Sequence, residues 1–137
     1  MVIWLAFLAM VCWGIAPIFA KLGLANANPI AALVLRTMLA AFIVTTWVGF
    51  SGADLQLGKI PPISWLLIGI EAILATLVGD LAYYAAIKDG NVAVVTIIMS
   101  VAPLVTMVLS NIFLAEPITI WRIVGACYVV LGLILIM

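Results

Sequence analysis

Arg36, Glu71 and Asp80 are ionisable side chains set inside long apolar runs of a 137-residue chain. A charge held near the middle of a bilayer costs roughly 2.5–3.5 kcal/mol on insertion scales, so each of the three requires an opposite charge or an aqueous cavity. At 1.5 Å of rise per helical residue, Arg36 and Asp80 both lie about 10 Å below the same surface. An ion pair between them is therefore expected. It would serve either as a structural tie between two helices or in handling substrate or protons, and the residues alone leave both readings open. Glu71 lies about 12 Å from the opposite surface, with Arg122 as its candidate partner. An acid there suits proton coupling or cation binding; the alternative is a neutral, hydrogen-bonded side chain in a helix interface.

Other residues could shape a site around these groups. Pro17 and Pro103 each remove a backbone donor and bend a helix in mid-membrane, where freed carbonyls can line a cavity; prolines are also simply frequent in membrane helices. Thr76, Asp80, Tyr83 and Tyr84 share a polar helix face, and Ala72, Ala75, Gly79, Ala82 and Ala86 form a small-residue stripe on another face that should pack against a neighbouring helix. The tyrosines are read first as interfacial anchors, with substrate contact as the alternative. Glu116, before Pro117, reads as a carboxylate at a helix start.

Enzymatic chemistry finds little material. There is no histidine, no cysteine cluster with metal spacing, no nucleotide-type glycine loop and no serine set beside a base, so no catalytic role, cofactor or metal is expected. Cys12 and Cys127 each sit in an apolar run and read as small hydrophobes.

The elements that must position these residues follow from composition. Hydrophobic residues make up 69% of the chain and charged residues 7%, which places it in a membrane. Five basic and five acidic residues cancel, leaving no basic surface for nucleic acid. Apolar stretches at 2–24, 30–50, 63–87, 92–115 and 118–137 each approach the roughly 20 residues that a membrane-spanning helix needs, so the expected fold is an all-α integral membrane protein of five transmembrane helices, forming a single domain over residues 1–137. The breaks carry turn chemistry at Asn26–Pro29, Ser51–Pro62, Lys88–Asn91 and Glu116–Pro117. The N-terminal stretch lacks a charged leader and a clear cleavage site, so the first helix is expected to be retained.

Trp13-Gly14 with Pro17 in the first helix, Arg36 in the second, Tyr84-Ala85-Ala86-Ile87 closing the third, Pro103-Leu104 in the fourth, and Glu116 before a fifth helix holding Gly125 follow one another along nearly the whole chain. In this order and spacing the chain resembles the EamA type of the drug/metabolite transporter superfamily. The resemblance implies movement of small metabolites or drugs, and members commonly carry two tandem copies, ten helices in all, where this chain has one. The acids Glu71 and Asp80 depart from the family pattern. The substrate or coupling-ion candidates are then Trp13, Pro17, Arg36, Glu71, Thr76, Asp80, Tyr84 and Pro103.

Two tandem copies of a five-helix unit must be oppositely oriented, so a single copy can rebuild the ten-helix arrangement by pairing with a second chain inserted upside down. Lys59 and Arg122 fall toward the side of the N-terminus and Lys21 and Lys88 toward the other, which leaves almost no positive-inside preference. The expectation is a multi-pass protein of a prokaryotic plasma or inner membrane, acting as a secondary transporter through an antiparallel, dual-topology homodimer with alternating access. Its partners are then the lipid bilayer, a small-molecule substrate and a second copy. A parallel dimer or a separately encoded partner competes with that assembly. The alternative function is a non-transporting membrane subunit or assembly module of a larger complex.

Overall fold

The structure, a computed structural model, describes residues 1–136. It is all-helical: α1 (Val2–Leu24), α2 (Pro29–Ser51), a 3-10 turn (Leu57–Lys59), α3 (Pro62–Ala72), a π-helical segment (Ile73–Gly79), α4 (Asp80–Asp89), α5 (Val92–Met99), α6 (Ala102–Leu114) and α7 (Ile120–Ile136). Among the described residues, four continuous stretches are long and apolar enough to cross a membrane: Val2–Leu24, Pro29–Ser51, Pro62–Asp89 and Val92–Leu114. The last apolar helix, α7, has 17 residues, at the short end of the range that spans hydrocarbon.

The boundaries follow local chemistry. The Asn28 side chain accepts from the Ile30 N–H at 2.9 Å, and Pro29 occupies the first helical position, where a missing N–H costs nothing. At the other end of α2, Gly52 takes the left-handed conformation with φ 61°, which a residue without Cβ adopts freely. Asn91 starts α5 in the same manner as Asn28, accepting from the N–H groups of Ala93 and Val94.

The chain divides into two compact units, Met1–Asp89 and the segment from Gly90 onward. In the first unit α1, α2 and α4 pack on one another. Leu24, Leu33, Tyr84 and Ile87 are the buried apolar side chains there, and Pro17 is buried inside α1. All except Pro17 cluster where α1 ends, α2 begins and α4 ends. That end is tied by the lysines. Lys21 Nζ donates to the carbonyls of Ile87 (2.6 Å) and Lys88 (2.7 Å), and Lys88 Nζ donates to the carbonyl of Ala27 at 3.0 Å. The last carbonyls of a helix have no partner within it, so these bonds satisfy groups that lipid could not.

The middle of the third stretch departs from the continuous α-helix that its spacing predicts. Over Ile73–Gly79 the backbone is π-helical, and the Asp80 N–H reaches back to the carbonyl of Ala75, five residues earlier. A Cβ on Gly79 would lie 3.0 Å from the Leu74 carbonyl oxygen, so this glycine permits the wide turn. In an α-helix a four-residue step overshoots a full turn by about 40°. A wider turn offsets that drift, so residues four apart stay in line through the π segment. Ala72 and Thr76, expected on different faces, both line one groove, which a four-residue spacing allows in an α-helix as well.

In the second unit α5 and α7 are in contact. Its first stretch is interrupted between Met99 and Ala102. Pro103 has no N–H to give the Met99 carbonyl, and the bonds around the break tighten to three-residue steps, Val101 N to Ile98 O (3.2 Å) and Leu104 N to Val101 O (2.9 Å). Glu116 does not cap a helix start as its sequence position suggests. The next helix begins only at Ile120, and the Glu116 carbonyl instead accepts from Asn111 Nδ2 at 2.8 Å.

Candidate functional site

Arg36 sits two turns into α2, on the helix whose start is fixed by Asn28 and Pro29. Asp80 is the first residue of α4, immediately after the π segment. The Arg36 guanidinium donates through Nη1 to Asp80 Oδ2, joining the two helices. The Asp80 side chain is 25% exposed and that of Arg36 51%, so the pair lies at the border of the packed end. Tyr84, one turn further along α4 and 8% exposed, places its ring 5.9 Å from the guanidinium carbon, within reach of a cation–π attraction. Its ring packs inside the unit rather than standing on the lipid-facing surface as an anchor would. The neighbouring Tyr83 is also drawn inward, and its hydroxyl is buried with no hydrogen-bond partner.

Beside the pair the helices separate. An open groove of about 510 Å³ is lined by Leu33, Val34, Thr37 and Met38 of α2 and by Ala72, Ile73, Thr76 and Leu77 of the third stretch. Thr37 directly follows Arg36, and Thr76 precedes Asp80 by four residues, so the lining reaches to within one helical turn of the ion pair, and neither charged side chain is part of it. Its walls are apolar apart from the threonines. The Thr37 hydroxyl donates to the Leu33 carbonyl at 2.8 Å.

Of the candidates read from the sequence, the structure brings together Arg36, Asp80 and Tyr84, and lines the adjoining groove with Thr76. Pro17 is buried within α1, whereas Trp13, on the same helix, is 79% exposed. Glu71 is exposed on α3, outside the cluster. Pro103 belongs to the second unit, at the start of α6. Arg122 donates to the Pro117 carbonyl at 2.9 Å. Lys21 and the groove residue Thr37 were not among the candidates. Lys21 carried one usable signal, a cation in the last turn of α1 on the same side as Lys88, where helix carbonyls need donors. Among the described residues, no group of three or more His, Cys, Asp or Glu side chains is placed to hold a metal ion.

An intramembrane ion pair beside an open groove, carried on helices that expose apolar side chains almost everywhere, defines a multi-pass α-helical membrane protein with a candidate solute site. The family model of the EamA-like transporter family matches residues 1–137, and the chain belongs to that family. It is similar to an uncharacterized transporter of Sinorhizobium sp encoded in the cobO 3' region, with 26% identity over 131 residues, covering 96% of this chain and 92% of that protein. It is also similar to the uncharacterized transporter YyaM of Bacillus subtilis, with 23% identity over 128 residues, covering 93% of this chain but 42% of that one. No solved structure matches the chain at a significant level. The family and these relatives identify a membrane transporter.

Proposed function

We propose that the protein is a secondary transporter of small metabolites or drugs that works as an antiparallel, dual-topology homodimer by alternating access. Each chain forms a single domain over residues 1–137 and crosses the membrane five times, α7 included, in a prokaryotic plasma or inner membrane. The observation that carries this reading is the groove between α2 and the third stretch, within one helical turn of Arg36 and Asp80, which a single chain leaves open along its side. A polar pair at this depth needs either protein or water against it, because lipid solvates neither charge. A second copy facing the groove would enclose it. The site would then lie at the interface of two oppositely oriented units, where such transporters place substrates.

Two comparisons support the assembly. This chain accounts for less than half of the Bacillus subtilis relative, which leaves room there for two such units in one polypeptide. The Sinorhizobium relative has nearly the length of this chain. The sequence adds a balanced distribution of Lys and Arg, which allows insertion in both orientations.

The test is reconstitution of purified protein into liposomes loaded with a mixture of radiolabelled amino acids, nucleosides, sugars and organic cations, followed by counterflow. Accumulation of at least one solute, abolished in the double variant Arg36→Ala/Asp80→Ala while chemical cross-linking still yields dimers, is the expected result. Dimers that exchange no solute would instead fit an assembly module.

A further inference from the structure

We infer that the third stretch is a swivel: the segment Ile73–Gly79 changes between π and α winding, and each change turns α3, with the groove wall it carries, about its own axis while α4 stays fixed.

The two sides of the segment are held very differently. On its C-terminal side α4 is anchored: Asp80 is paired with Arg36, Tyr84 and Ile87 are buried, and the carbonyls of Ile87 and Lys88 accept from Lys21. On its N-terminal side α3 has no buried side chain, and it packs chiefly on the π segment that continues it. Any rotation between the two therefore falls on α3.

Both windings are open to the segment. A π turn bonds an N–H to the carbonyl five residues back instead of four, as the Asp80 N–H does to Ala75. Gly79 admits that turn, because a Cβ there would meet the Leu74 carbonyl oxygen at 3.0 Å. Nothing in the segment forbids the tighter turn: it contains no proline, and Leu74, Ala75 and Leu77 favour the α-helix. A π residue turns the chain by less than the roughly 100° of an α-helical residue, so over seven residues the two windings differ by on the order of 100°. Ala72 and Ile73 face Leu33, Val34 and Met38 of α2 across the groove. Rewinding carries them out of that wall and brings other side chains of α3 into it, so one segment sets two shapes of the groove. Alternating access needs two such conformations, and to that extent the swivel rests on the transport reading above and deepens it.

The experiment uses full-length protein with Cys12 and Cys127 replaced by Ala and spin labels at exposed positions: Leu39 on α2 paired with Leu66 on α3, and, as the control, Leu39 paired with Ala85 on α4. The protein is reconstituted into liposomes with an excess of unlabelled chains, so that labelled chains do not meet, and distances are read by pulsed electron paramagnetic resonance. A side chain about 5 Å from the helix axis swings through roughly 8 Å in a turn of that size. Gly79→Ala, which obstructs the π form, is expected to move the Leu39–Leu66 distance by several ångström and to leave Leu39–Ala85 unchanged. Removing Val78 from the Gly79→Ala chain takes out the extra residue that the wide turn accommodates. The shortened segment, wound as an α-helix, then returns α3 to its parent orientation, and the Leu39–Leu66 distance should return with it. A misfolded variant cannot produce that restoration. A Leu39–Leu66 distance that Gly79→Ala leaves unchanged overturns the swivel, as does a shift of both pairs together, or a Val78 deletion that keeps the Leu39–Ala85 distance without restoring Leu39–Leu66. No solute enters these readings, so loss of the swivel with counterflow intact leaves the transport reading standing, and a swivel without counterflow does the reverse.

Discussion

The Arg36 guanidinium on α2 is held by the Asp80 carboxylate at the start of α4, 44 residues away in sequence, and so ties α2 to the end of the third stretch. Charges in a membrane interior are tolerated when they neutralise one another, so the pair can tie the two helices without leaving either charge unpaired.

Breaking the pair from either side should be costly. Arg36→Ala and Asp80→Ala are each expected to lower uptake about tenfold or more, a loss of roughly 1.4 kcal/mol or greater in transition-state stabilisation. The exchanged variant, Arg36→Asp with Asp80→Arg, should recover part of the loss, because it restores neutrality with the partners reversed. Expression-normalised uptake measures this. Silent single variants would show that the pair matters to neither folding nor transport.

The π segment depends on Gly79. Gly79→Ala sets a Cβ 3.0 Å from the Leu74 carbonyl and is expected to destabilise the protein by about 1–3 kcal/mol, the usual cost of overpacking. Gly69→Ala on α3 meets nothing within 4 Å and should be neutral or stabilising by up to about 1 kcal/mol through helix propensity. Thermal unfolding of the two variants in the same detergent gives opposite signs if the π turn is real. Equal behaviour would mean that the wide turn relaxes to an α-helix without cost.

Most helix positions were legible because membrane spans announce themselves by apolar length, and Asn28-Pro29, Gly52 and Asn91 carry local stop or start chemistry. The first helix, Val2–Leu24, coincides with the apolar run. The Arg36–Asp80 pair was legible from depth alone, since helical rise turns sequence position into height. What was illegible involved backbone geometry with no residue signature. Gly79 looked like one member of a small-residue stripe, whereas its role is to let the Leu74 carbonyl approach within its own helix. Ala72 and Thr76, assigned to separate faces, line the same groove, as their four-residue spacing already allows. Glu116-Pro117 has the look of a helix start, but the chain there is spent on bonds from Asn111 and Arg122, and α7 begins later.

The closed end of the first unit should depend on Lys21. Lys21→Met keeps the length of the side chain and removes both donations to the Ile87 and Lys88 carbonyls. A hydrogen bond from a charged donor contributes roughly 1.5–3 kcal/mol, so a loss on that order is expected. Lys21→Arg should retain most of it. Denaturant titration in mixed micelles distinguishes the two. Equal stability of Lys21→Met and the parent would show that water or lipid headgroups replace the lysine fully.

Tyr84 should act through its ring. Tyr84→Phe preserves the face presented to Arg36 and is expected to leave stability nearly unchanged. Tyr84→Ala empties a buried site and should cost about 3–5 kcal/mol, as other deletions of buried aromatic rings do. Thermal unfolding of both variants is the check. A large loss in Tyr84→Phe would move the contribution to the hydroxyl.

The central claim, that two oppositely inserted copies form the transporter, is tested most directly by single-cysteine labelling. Asp54→Cys, in the exposed connection between α2 and α3, is introduced with Cys12 and Cys127 replaced by Ala, and a membrane-impermeant maleimide is applied to intact spheroplasts and to inverted vesicles. A dual-topology protein predicts that comparable fractions of Asp54→Cys are labelled from each face, summing to nearly all of the protein. Labelling of nearly all the protein from one face and none from the other would establish a fixed orientation and contradict the antiparallel homodimer.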